Sequence, residues 1–538
     1  MKAGRIRAAW VATCAWWPRA GRLRRRMVGL ALVAVFGGLM VSLWHPVYRF
    51  SSLLWLDAAR EAVMMPALRV QPSALNAGGY DGQFYAQIAC DPTLRDPALV
   101  PAIDSLAYRA RRIALPATAW ALALGDPERA VRVFPWLNIG CWIVLGGVLW
   151  PLLRADRGWI GVAAWAGVMF SGGMLASVRY ALTDLPALLL LVLAVRAAER
   201  RRGGAMAGWC AASVLTKETM LAGAWGLLPA WPSRANGWLR RAAWLAVATV
   251  PLVLWMFYIR WRVGPLSSGL GNFAWPGTGF IREWREELAY LLSWRDPRLG
   301  ITSTLALVAL TAQALFLVWH WRPRNRWWRV GAGSLLLMAV LGGAVWEGVF
   351  GASLRVLLPL LLVSNYLAVR RRRAAVWLLL LNLSVPAGLV TMTPQPDTRE
   401  VVAGRSEVGA VVIRGESGCY GWEADRQSRW TWTQQEAVLA GRCWLQEPEA
   451  ELELTMEVRA LDTREIVISA DGGELWRGTV NERWTVVTVP RLPVRAGEFR
   501  LRIHSESPGV REAPDEGSRR LSVCLLNPEV VVRRSTGR

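Results

Sequence analysis

The fold of this 538-residue chain is indicated first by residues 22–44, which read Arg22-Leu-Arg-Arg-Arg-Met-Val-Gly-Leu-Ala-Leu-Val-Ala-Val-Phe-Gly-Gly-Leu-Met-Val-Ser-Leu-Trp44. Four arginines precede an apolar run that is long enough to cross the hydrocarbon core of a bilayer, which takes about 20 residues. A cleavable signal peptide has a shorter apolar core. We therefore predict a basic cytoplasmic segment over 1–26 and an uncleaved first membrane helix over 27–44.

The rest of the chain is also too apolar for an ordinary soluble protein. Its composition is 54% hydrophobic and its mean hydropathy is positive, whereas soluble domains hold about 45–50% apolar residues. The predicted helical membrane domain covers 27–391. Within it we predict eleven spans, some short and tilted, near 27–44, 131–153, 158–175, 181–198, 204–216, 219–231, 241–258, 301–320, 330–346, 354–369 and 374–391.

Positive charge is distributed unevenly along the chain. The first 391 residues carry 43 basic and 17 acidic residues, whereas the residues from Asp397 onward carry 20 basic and 23 acidic. Twenty-five of those 43 basic residues lie in the N-terminal segment and in five short loops, at 154–157, 196–202, 234–241, 322–329 and 370–373. Short basic loops between apolar runs mark the cytoplasmic face of a membrane protein. The charge therefore orients the chain, and we predict no nucleic-acid partner.

An odd number of spans places the C-terminus on the opposite side of the membrane from the basic N-terminus. The long loops 45–130 and 259–300 and the tail 392–538 are then extracytoplasmic. The apolar segment 113–125 is short for a span. We predict that it lies at the outer membrane interface.

The pattern changes after Pro394 to an alternation of apolar and polar residues. Examples are Glu451-Leu-Glu-Leu-Thr-Met-Glu-Val458 and Trp484-Thr-Val-Val-Thr-Val489. Alternation with period two is typical of antiparallel strands that bury one face. The tail, 392–538, is therefore predicted to be an all-β sandwich or jelly roll. A Cys419–Cys443 disulfide suits an oxidising compartment, but the spacing does not decide it.

The stretch that carries the most chemical information is Gly78-Gly-Tyr-Asp-Gly-Gln-Phe-Tyr-Ala-Gln-Ile-Ala-Cys-Asp-Pro92, in the first outer loop. Its glycines predict a tight turn that leads into an amphipathic helix carrying Phe84, Tyr85 and Ile88. A carboxylate at that point, Asp81, can have a raised pKa near the interface and act as a general base. The alternative is that Asp81 only caps the helix.

Four motifs resemble bacterial multi-spanning glycosyltransferases of the GT-C superfamily. They are Tyr80-Asp-Gly-Gln-Phe-Tyr85, the following Asp91-Pro, Tyr108-x-x-x-Arg-Ile-x-Leu-Pro116 and Thr183-Asp-Leu-Pro186. The resemblance covers roughly 27–391. It implies a bacterial plasma-membrane enzyme with a polyprenyl-phosphate-linked sugar as donor and an essential acidic residue in the first outer loop. By position that residue is Asp81, and Asp91 is a weaker second candidate.

Several other ionisable and aromatic side chains are candidates for substrate contacts, because charges in or near membrane spans are costly and mark functional sites. For the donor phosphate these are Lys217, Arg355, Arg109, Arg112 and Arg179. For the rest of the substrate they are Asp184, Tyr80, Gln83, Tyr85, Asp91, Glu347 and Trp275. Structural alternatives stay open, namely the neutralising pairs Lys217–Glu218 and Glu347–Arg355, headgroup binding by the arginines at 109–112, and interfacial anchoring by Trp275.

The sequence thus predicts an extracytoplasmic, inverting hexosyl- or pentosyltransferase that acts on a glycan, lipid or protein acceptor of the cell envelope. A Mg²⁺ or Mn²⁺ ion that bridges Asp81 and the donor phosphate is compatible with the superfamily, but no metal-ligand spacing is found in the sequence. The alternatives are a transporter or lipid flippase, which would have related halves, and a non-catalytic scaffold that binds glycan through the tail.

The membrane orientation can be tested with reporter fusions after Arg202 and after Pro394. Because the loop at 196–202 is basic and the tail is not, we expect the reporter after Arg202 to lie in the cytoplasm and the reporter after Pro394 to lie outside the cell membrane. Finding both reporters on one side of the membrane would contradict the odd number of spans.

Overall fold

The computed structural model describes residues 2–228, 235–265, 269–347, 352–371, 373–395, 397–425, 428–471, 473–513 and 518–535. The chain divides into two compact units. The helical unit consists of 1–43, 50–69 and 74–393, and the β unit consists of 44–49, 70–73 and 394–538.

The helical unit contains short helices in its first loop and longer apolar helices after residue 126. The helices are α1 (Lys2–Ser42), α2 (Pro66–Arg69), α3 (Asp81–Ile88), α4 (Leu99–Ala102), α5 (Leu106–Arg109), α6 (Ala114–Leu122), α7 (Pro127–Leu152), α8 (Trp159–Met169), α9 (Gly172–Arg179), α10 (Asp184–Glu199), α11 (Gly203–Thr216), α12 (Met220–Ala224), α13 (Ala235–Arg262), α14 (Thr278–Ser293), α15 (Pro297–Trp319), α16 (Arg326–Val340), α17 (Gly343–Trp346), α18 (Ser353–Val356), α19 (Leu358–Ala368), α20 (Ala374–Leu381) and α21 (Val385–Thr391). Two short parallel strands, β1 (Leu56–Asp57) and β2 (Leu75–Asn76), pair in the first loop.

A helix overlaps each of the eleven predicted spans, but most of these helices are short. Among the described residues, four helical segments are long and apolar enough to cross a membrane, and the α8–α9 pair, bent by 44°, would make a fifth. The four are Gly21–Ser42, Pro127–Leu152, Pro297–Trp319 and Ala374–Thr391. The helical unit is therefore suited to a lipid bilayer, while the count of eleven crossings stays a prediction.

Hydropathy finds apolar segments but does not show where a helix breaks, as it does after five residues in α12. α12 lies within the predicted span 219–231. The last three residues of that span, 229–231, and the start of the basic loop 234–241 lie outside the described residues.

The core of the helical unit surrounds α10. Eleven of its sixteen residues are buried, which is expected of a helix that is apolar on every side. α10 packs against α7, α11 and α12. This places Asp184, the first residue of α10, in the interior, where its side chain is wholly buried.

The predicted interfacial segment 113–125 forms α6, a nine-residue helix that packs against α7. One side of α6 is buried through Leu115 and Ala119, whereas Trp120 and Leu122 are exposed. The segment is thus helical and too short to cross a bilayer.

The β unit is antiparallel, as its alternating sequence predicts. Its strands are β3 (Glu400–Arg405), β4 (Gly409–Cys419), β5 (Glu423–Ala424), β6 (Arg429–Leu445), β7 (Glu449–Ala460), β8 (Arg464–Ala470), β9 (Gly473–Val480), β10 (Thr485–Arg495), β11 (Gly497–Ser505), β12 (Val510–Arg511), β13 (Arg520–Leu521) and β14 (Val523–Arg534). In β7 the side chains of Leu452, Leu454, Met456 and Val458 point into the core, and the acidic residues between them point outward.

The strands form one ten-stranded sheet that nearly closes into a barrel, in place of the two separate layers of a sandwich. The main order is β10-β7-β14-β6-β11-β8-β9, and β4 and β5 also pair with β6. The 17-residue strand β6 makes this possible, because its first part pairs with β14 and β5 and its second part pairs with β4 and β11. The β12–β13 pair stands apart from this sheet.

The disulfide that the sequence left open does not form in this fold. Cys419 and Cys443 are both free thiols. Cys443 lies opposite Val411 in the β4–β6 pairing, whereas Cys419 lies opposite Thr433, ten residues away along β6. The two cysteines therefore belong to different parts of the sheet.

A short piece of the predicted first outer loop belongs to the β unit. Val47 and Tyr48 are buried there, and Nη2 of Arg405 donates to the carbonyl oxygen of Val47 at 2.9 Å. Nε2 of His45 lies 3.2 Å from a carboxylate oxygen of Glu400. The predicted boundary at 392 is close to Pro394, where the β unit resumes, but the sequence pattern gave no sign that 44–49 completes this unit.

Candidate functional site

The helix α3 begins at Asp81 itself. Tyr80 is the residue that precedes it, and no side chain caps the helix, so Asp81 does not act as the cap that the alternative interpretation proposed. In the first turn its carboxylate benefits from the positive end of the helix dipole. Residues 82–88 are all buried, so α3 is an interior helix and not the amphipathic helix that the sequence predicted.

Gly82 lets α3 approach the segment that precedes α10. A Cβ atom at this position would lie 2.1 Å from the carbonyl oxygen of Tyr180, which is much closer than two non-bonded atoms can come. Next to this contact the rings of Tyr80 and Tyr180 stack with their centroids 4.5 Å apart. The close approach brings Asp81 beside the start of α10.

The carboxylate of Asp81 lies between two guanidinium groups. Its Oδ1 is 2.9 Å from Nη1 of Arg109, and its Oδ2 is 3.6 Å from Nη2 of Arg355. Burial opposes ionisation of Asp81, but Arg355 and then Arg109 outweigh it, so the pKa of Asp81 lies below its ordinary value. The expectation of a raised pKa is therefore wrong, because the sequence did not show that two cations converge on this carboxylate.

Asp184 forms a second layer behind Asp81. Its buried carboxylate contacts Nζ of Lys217 through Oδ1 and lies 3.3 Å from Nη1 of Arg355 through Oδ2. Arg355 therefore bridges both aspartates, and its Nη2 also donates to the hydroxyl of Tyr80 at 3.1 Å. Asp184 is wholly buried and holds the charged groups of Lys217 and Arg355 in place through these contacts.

The neutralising pairs that the sequence suggested are replaced by others. Glu218 pairs with Arg112, with an Nη2–Oε1 distance of 2.8 Å, and not with Lys217. Glu347 pairs with Arg282 at 3.4 Å, and not with Arg355. In both cases the observed partner, Arg112 or Arg282, lies far from the glutamate along the chain.

Arg112 is held by three oxygen-bearing side chains. Its guanidinium donates to the hydroxyls of Tyr85 and Tyr108 and to the carboxylate of Glu218. Burial acts against ionisation of Glu218, but Arg112 outweighs it and lowers the pKa of Glu218 to about 2. Asn272, from the second predicted outer loop, donates to the Tyr108 hydroxyl at 3.1 Å.

Many of these groups line a cavity of about 520 Å³, which is within the usual size range of ligand pockets. The charged residues of the lining are Asp81, Arg109, Arg111, Arg112, Lys217, Glu218, Glu347 and Arg355. The apolar residues of the lining are Phe273, Leu337, Leu341, Ala344, Val345, Ala352 and Val356. Such a cavity suits a ligand with an anionic part and an apolar part.

Six of the residues that the sequence proposed do not line this cavity, and four of these six have contacts elsewhere or are exposed. The side chain of Gln83 is buried and accepts a hydrogen bond from the backbone N–H of Asp57. Asp91 accepts hydrogen bonds from the backbone of its own loop, including the N–H groups of Arg95 and Asp96. Arg179 lies over the ring of Trp55. Trp275 is 84% exposed.

Of the remaining candidates, Tyr80 lines the cavity, while Tyr85 and Asp184 support its wall from behind. Tyr108, Asn272 and the apolar residues of the lining were not predicted from the sequence. Tyr108 begins the motif Tyr108-x-x-x-Arg-Ile-x-Leu-Pro116, but only the arginines of this segment were predicted to bind substrate. Asn272 lies three residues before Trp275, and Trp275 was the candidate in that loop because it is aromatic.

The carboxylates of the cavity are poorly suited to a divalent cation. Asp81 and Glu218 already face arginines at close range, and Asp184 faces Lys217 and Arg355. Across the described residues no group of three or more His, Cys, Asp or Glu side chains is arranged to hold a metal ion. The chemistry that these residues offer is cationic binding of an anion beside the ionised carboxylate of Asp81.

Comparison of the sequence with models of known protein families and with curated proteins gives no match.

Replacement of Gly82 by alanine should displace α3, because the new methyl group would collide with the carbonyl of Tyr180. We expect a loss of about 1–3 kcal/mol in the free energy of unfolding, the usual cost of overpacking. Gly78→Ala is the matched control, since a Cβ atom added there would have no other atom within 4 Å. Equal melting temperatures for the two variants in detergent would contradict this account of Gly82.

Anion binding in the cavity should weaken as the pH rises through about 8. Burial, despite Asp184, lowers the pKa of Lys217 to about 8, so the side chain loses its positive charge there. Inorganic pyrophosphate should raise the melting temperature less at about pH 9 than at about pH 7. In Lys217→Arg the rise in melting temperature that pyrophosphate causes should persist at the higher pH, because a guanidinium stays charged. If this rise falls equally between about pH 7 and about pH 9 in both proteins, deprotonation of Lys217 is excluded as the cause.

Proposed function

We propose that this chain is a membrane glycosyltransferase that moves a hexosyl or pentosyl group from a polyprenyl-phosphate donor to a cell-envelope acceptor on the extracytoplasmic face of a bacterial plasma membrane. The observation that carries the proposal is the position of Asp81, whose carboxylate lies on the wall of the 520 Å³ cavity beside Arg109 and Arg355. Glycosyl transfer from a lipid phosphate needs this pair of functions, a base for the acceptor and cations for the leaving group.

In the proposed reaction an acceptor hydroxyl attacks the anomeric carbon of the donor sugar. The bond between that carbon and the phosphate oxygen breaks, and a bond to the acceptor oxygen forms on the opposite face, which inverts the configuration. Asp81 takes the proton of the acceptor hydroxyl. The electron pair of the broken bond leaves with the polyprenyl phosphate, whose negative charge is stabilised by Arg355, Arg109, Lys217 and Arg112.

The lowered pKa of Asp81 fits this role if the donor phosphate competes for its arginines. At neutral pH the carboxylate is ionised and ready to accept a proton, but two guanidiniums make it a weak base. A phosphate that draws Arg109 or Arg355 toward itself would weaken those contacts and add a nearby negative charge. Both changes raise the pKa of a carboxylate, so donor binding would strengthen the base.

The mixed lining of the cavity supports an amphiphilic donor. Its cations suit a sugar phosphate, and its apolar residues Leu337, Leu341, Val345 and Val356 suit the first isoprenoid units of a lipid. A step through Mg²⁺ or Mn²⁺ is not part of the proposal, because the carboxylates at the cavity are already neutralised by arginine and lysine.

The decisive assay is sugar transfer in membranes supplied with labelled polyprenyl-phosphate sugar. Asp81→Asn should lower the rate by roughly 100-fold or more, because it removes a general base. Glu128→Gln is the control, since Glu128 is an exposed carboxylate on α7 that is not among the residues lining the cavity. Unchanged transfer in a normally inserted Asp81→Asn protein would refute the assignment of Asp81, and donor transport without transfer would favour a transporter.

A further inference from the structure

The helix α14 has three different faces. Gly279, Trp284 and Glu287 turn toward the neighbouring helices. Ile281, Leu288 and Leu292 are spaced by seven and four residues, which places them on one side of the helix, and they are 53%, 45% and 82% exposed. Arg282 and Glu286 form a third, charged face and pair with each other at 3.3 Å. A soluble environment does not favour an exposed apolar stripe of this length.

The contacts of α14 fix its level relative to the membrane-length helix α15. Leu291 lies beside Gly300. Glu287 accepts hydrogen bonds from the hydroxyls of Ser303 and Thr304 at 2.5 and 3.0 Å. These partners lie in the first third of α15, which starts at Pro297, only four residues after α14 ends. The indole N–H of Trp284 reaches further along α15, to the hydroxyl of Thr311. The end of α14 is therefore held at the point where α15 begins.

The start of α14 is held by the end of α16. The N–H of Gly277 donates to the carbonyl of Ala339 at 2.6 Å, and a Cβ at Gly279 would lie 2.2 Å from the carbonyl of Leu341. α16 returns after the short connection 320–325, so it runs back toward the side of the bundle from which α15 starts. The end of α14 is thus held beside the start of α15, and the start of α14 is held by the end of α16.

Aromatic residues flank the apolar stripe. Trp275 and Trp294 are 84% and 66% exposed and lie just before and just after α14. Tryptophan is enriched at the level of lipid headgroups, where its ring is partly apolar and its N–H is polar. Arg285 lies beside the stripe and is exposed, and an arginine there can extend its charged end toward water or lipid phosphate.

From these observations we propose that α14 is an interfacial helix that docks on the bilayer surface, with Ile281, Leu288 and Leu292 in the outer part of the acyl-chain region and with Arg282 and Glu286 in water. The occupant of the apolar stripe is lipid, because the stripe is continuous with the start of α15, which is long and apolar enough to cross the membrane. An amphipathic helix with a charged face and aromatic flanks is the usual form of such a contact.

The docked helix would also fix the height of the cavity. Arg282 pairs with Glu347, and the rings of Phe280 and Trp346 lie 5.7 Å apart. Glu347 and Leu341, which α14 contacts, both line the cavity. The docked helix would therefore hold part of the cavity lining near the membrane surface. This inference concerns the surface alone and holds or fails independently of sugar transfer.

The test compares two neighbouring positions on α14 in proteoliposomes. Leu288→Cys and Glu286→Cys are each labelled with a nitroxide, and the label's accessibility to oxygen and to a water-soluble nickel chelate is measured by electron paramagnetic resonance. We expect the oxygen-to-nickel ratio to be several-fold higher at 288 than at 286. The unsubstituted protein gives the background from its own cysteines, and its melting temperature shows whether the variants fold.

Three results would overturn the proposal. Equal nickel accessibility at both positions would place the stripe in water. Dipolar coupling between labels at position 288 would show that a second copy covers the stripe. A label at 288 that is immobile and shielded from both reagents would show a protein partner in place of lipid. The same ordering at Leu292→Cys, with high oxygen accessibility, would extend the lipid contact along the helix.

Discussion

The arrangement of the helical unit depends on a chain of alternating charges that is buried at Asp184, Lys217 and Arg355 and partly exposed at Asp81 and Arg109. Arg109, Asp81, Arg355, Asp184 and Lys217 follow one another in space, each within contact of the next. Removing a charge from water costs several kcal/mol, and this cost is offset only when partners of opposite sign and further hydrogen bonds surround it. Asp184, wholly buried at the start of α10, can stay ionised only because Lys217 and Arg355 both reach it. The positions of α3, of the turn after α11 and of α18 are therefore tied together.

The same chain of charges makes the cavity suited to binding an anion. Its cations are held by carboxylates from behind, so they are oriented before any ligand arrives, and an incoming anion can compete with Asp81 for them. The lining also includes apolar side chains. A site that combines pre-arranged cations with hydrocarbon favours an amphiphilic anion, and this combination connects the geometry to the proposed lipid-phosphate donor.

Much of the architecture was predictable because it follows from local patterns. The alternation from Glu451 to Val458 fixes which face of β7 is buried, and a strand with that pattern pairs antiparallel with one face in the core. The apolar runs located helices throughout 27–391. They do not show how many of these helices cross the membrane, however, since continuous hydrophobicity does not reveal the breaks in α8–α9 or after α12. The closure of the β sheet depends on how β6 pairs along its length, which no local pattern records.

The candidate site shows most clearly which features follow from the sequence and which follow from the tertiary structure. The sequence by itself determined that Asp81, Arg109, Arg112, Lys217 and Arg355 are chemically unusual, because charged residues are costly in and around an apolar helical domain. Only the tertiary structure decided their partners: Arg355 meets Asp81 from 274 residues away and Asp184 from 171. The physical reason is that a buried charge is stable only beside an opposite charge, and helix packing decides which opposite charge lies beside it. Lys217 and Glu218 are neighbours in the sequence, but Lys217 contacts Asp184 and Glu218 contacts Arg112.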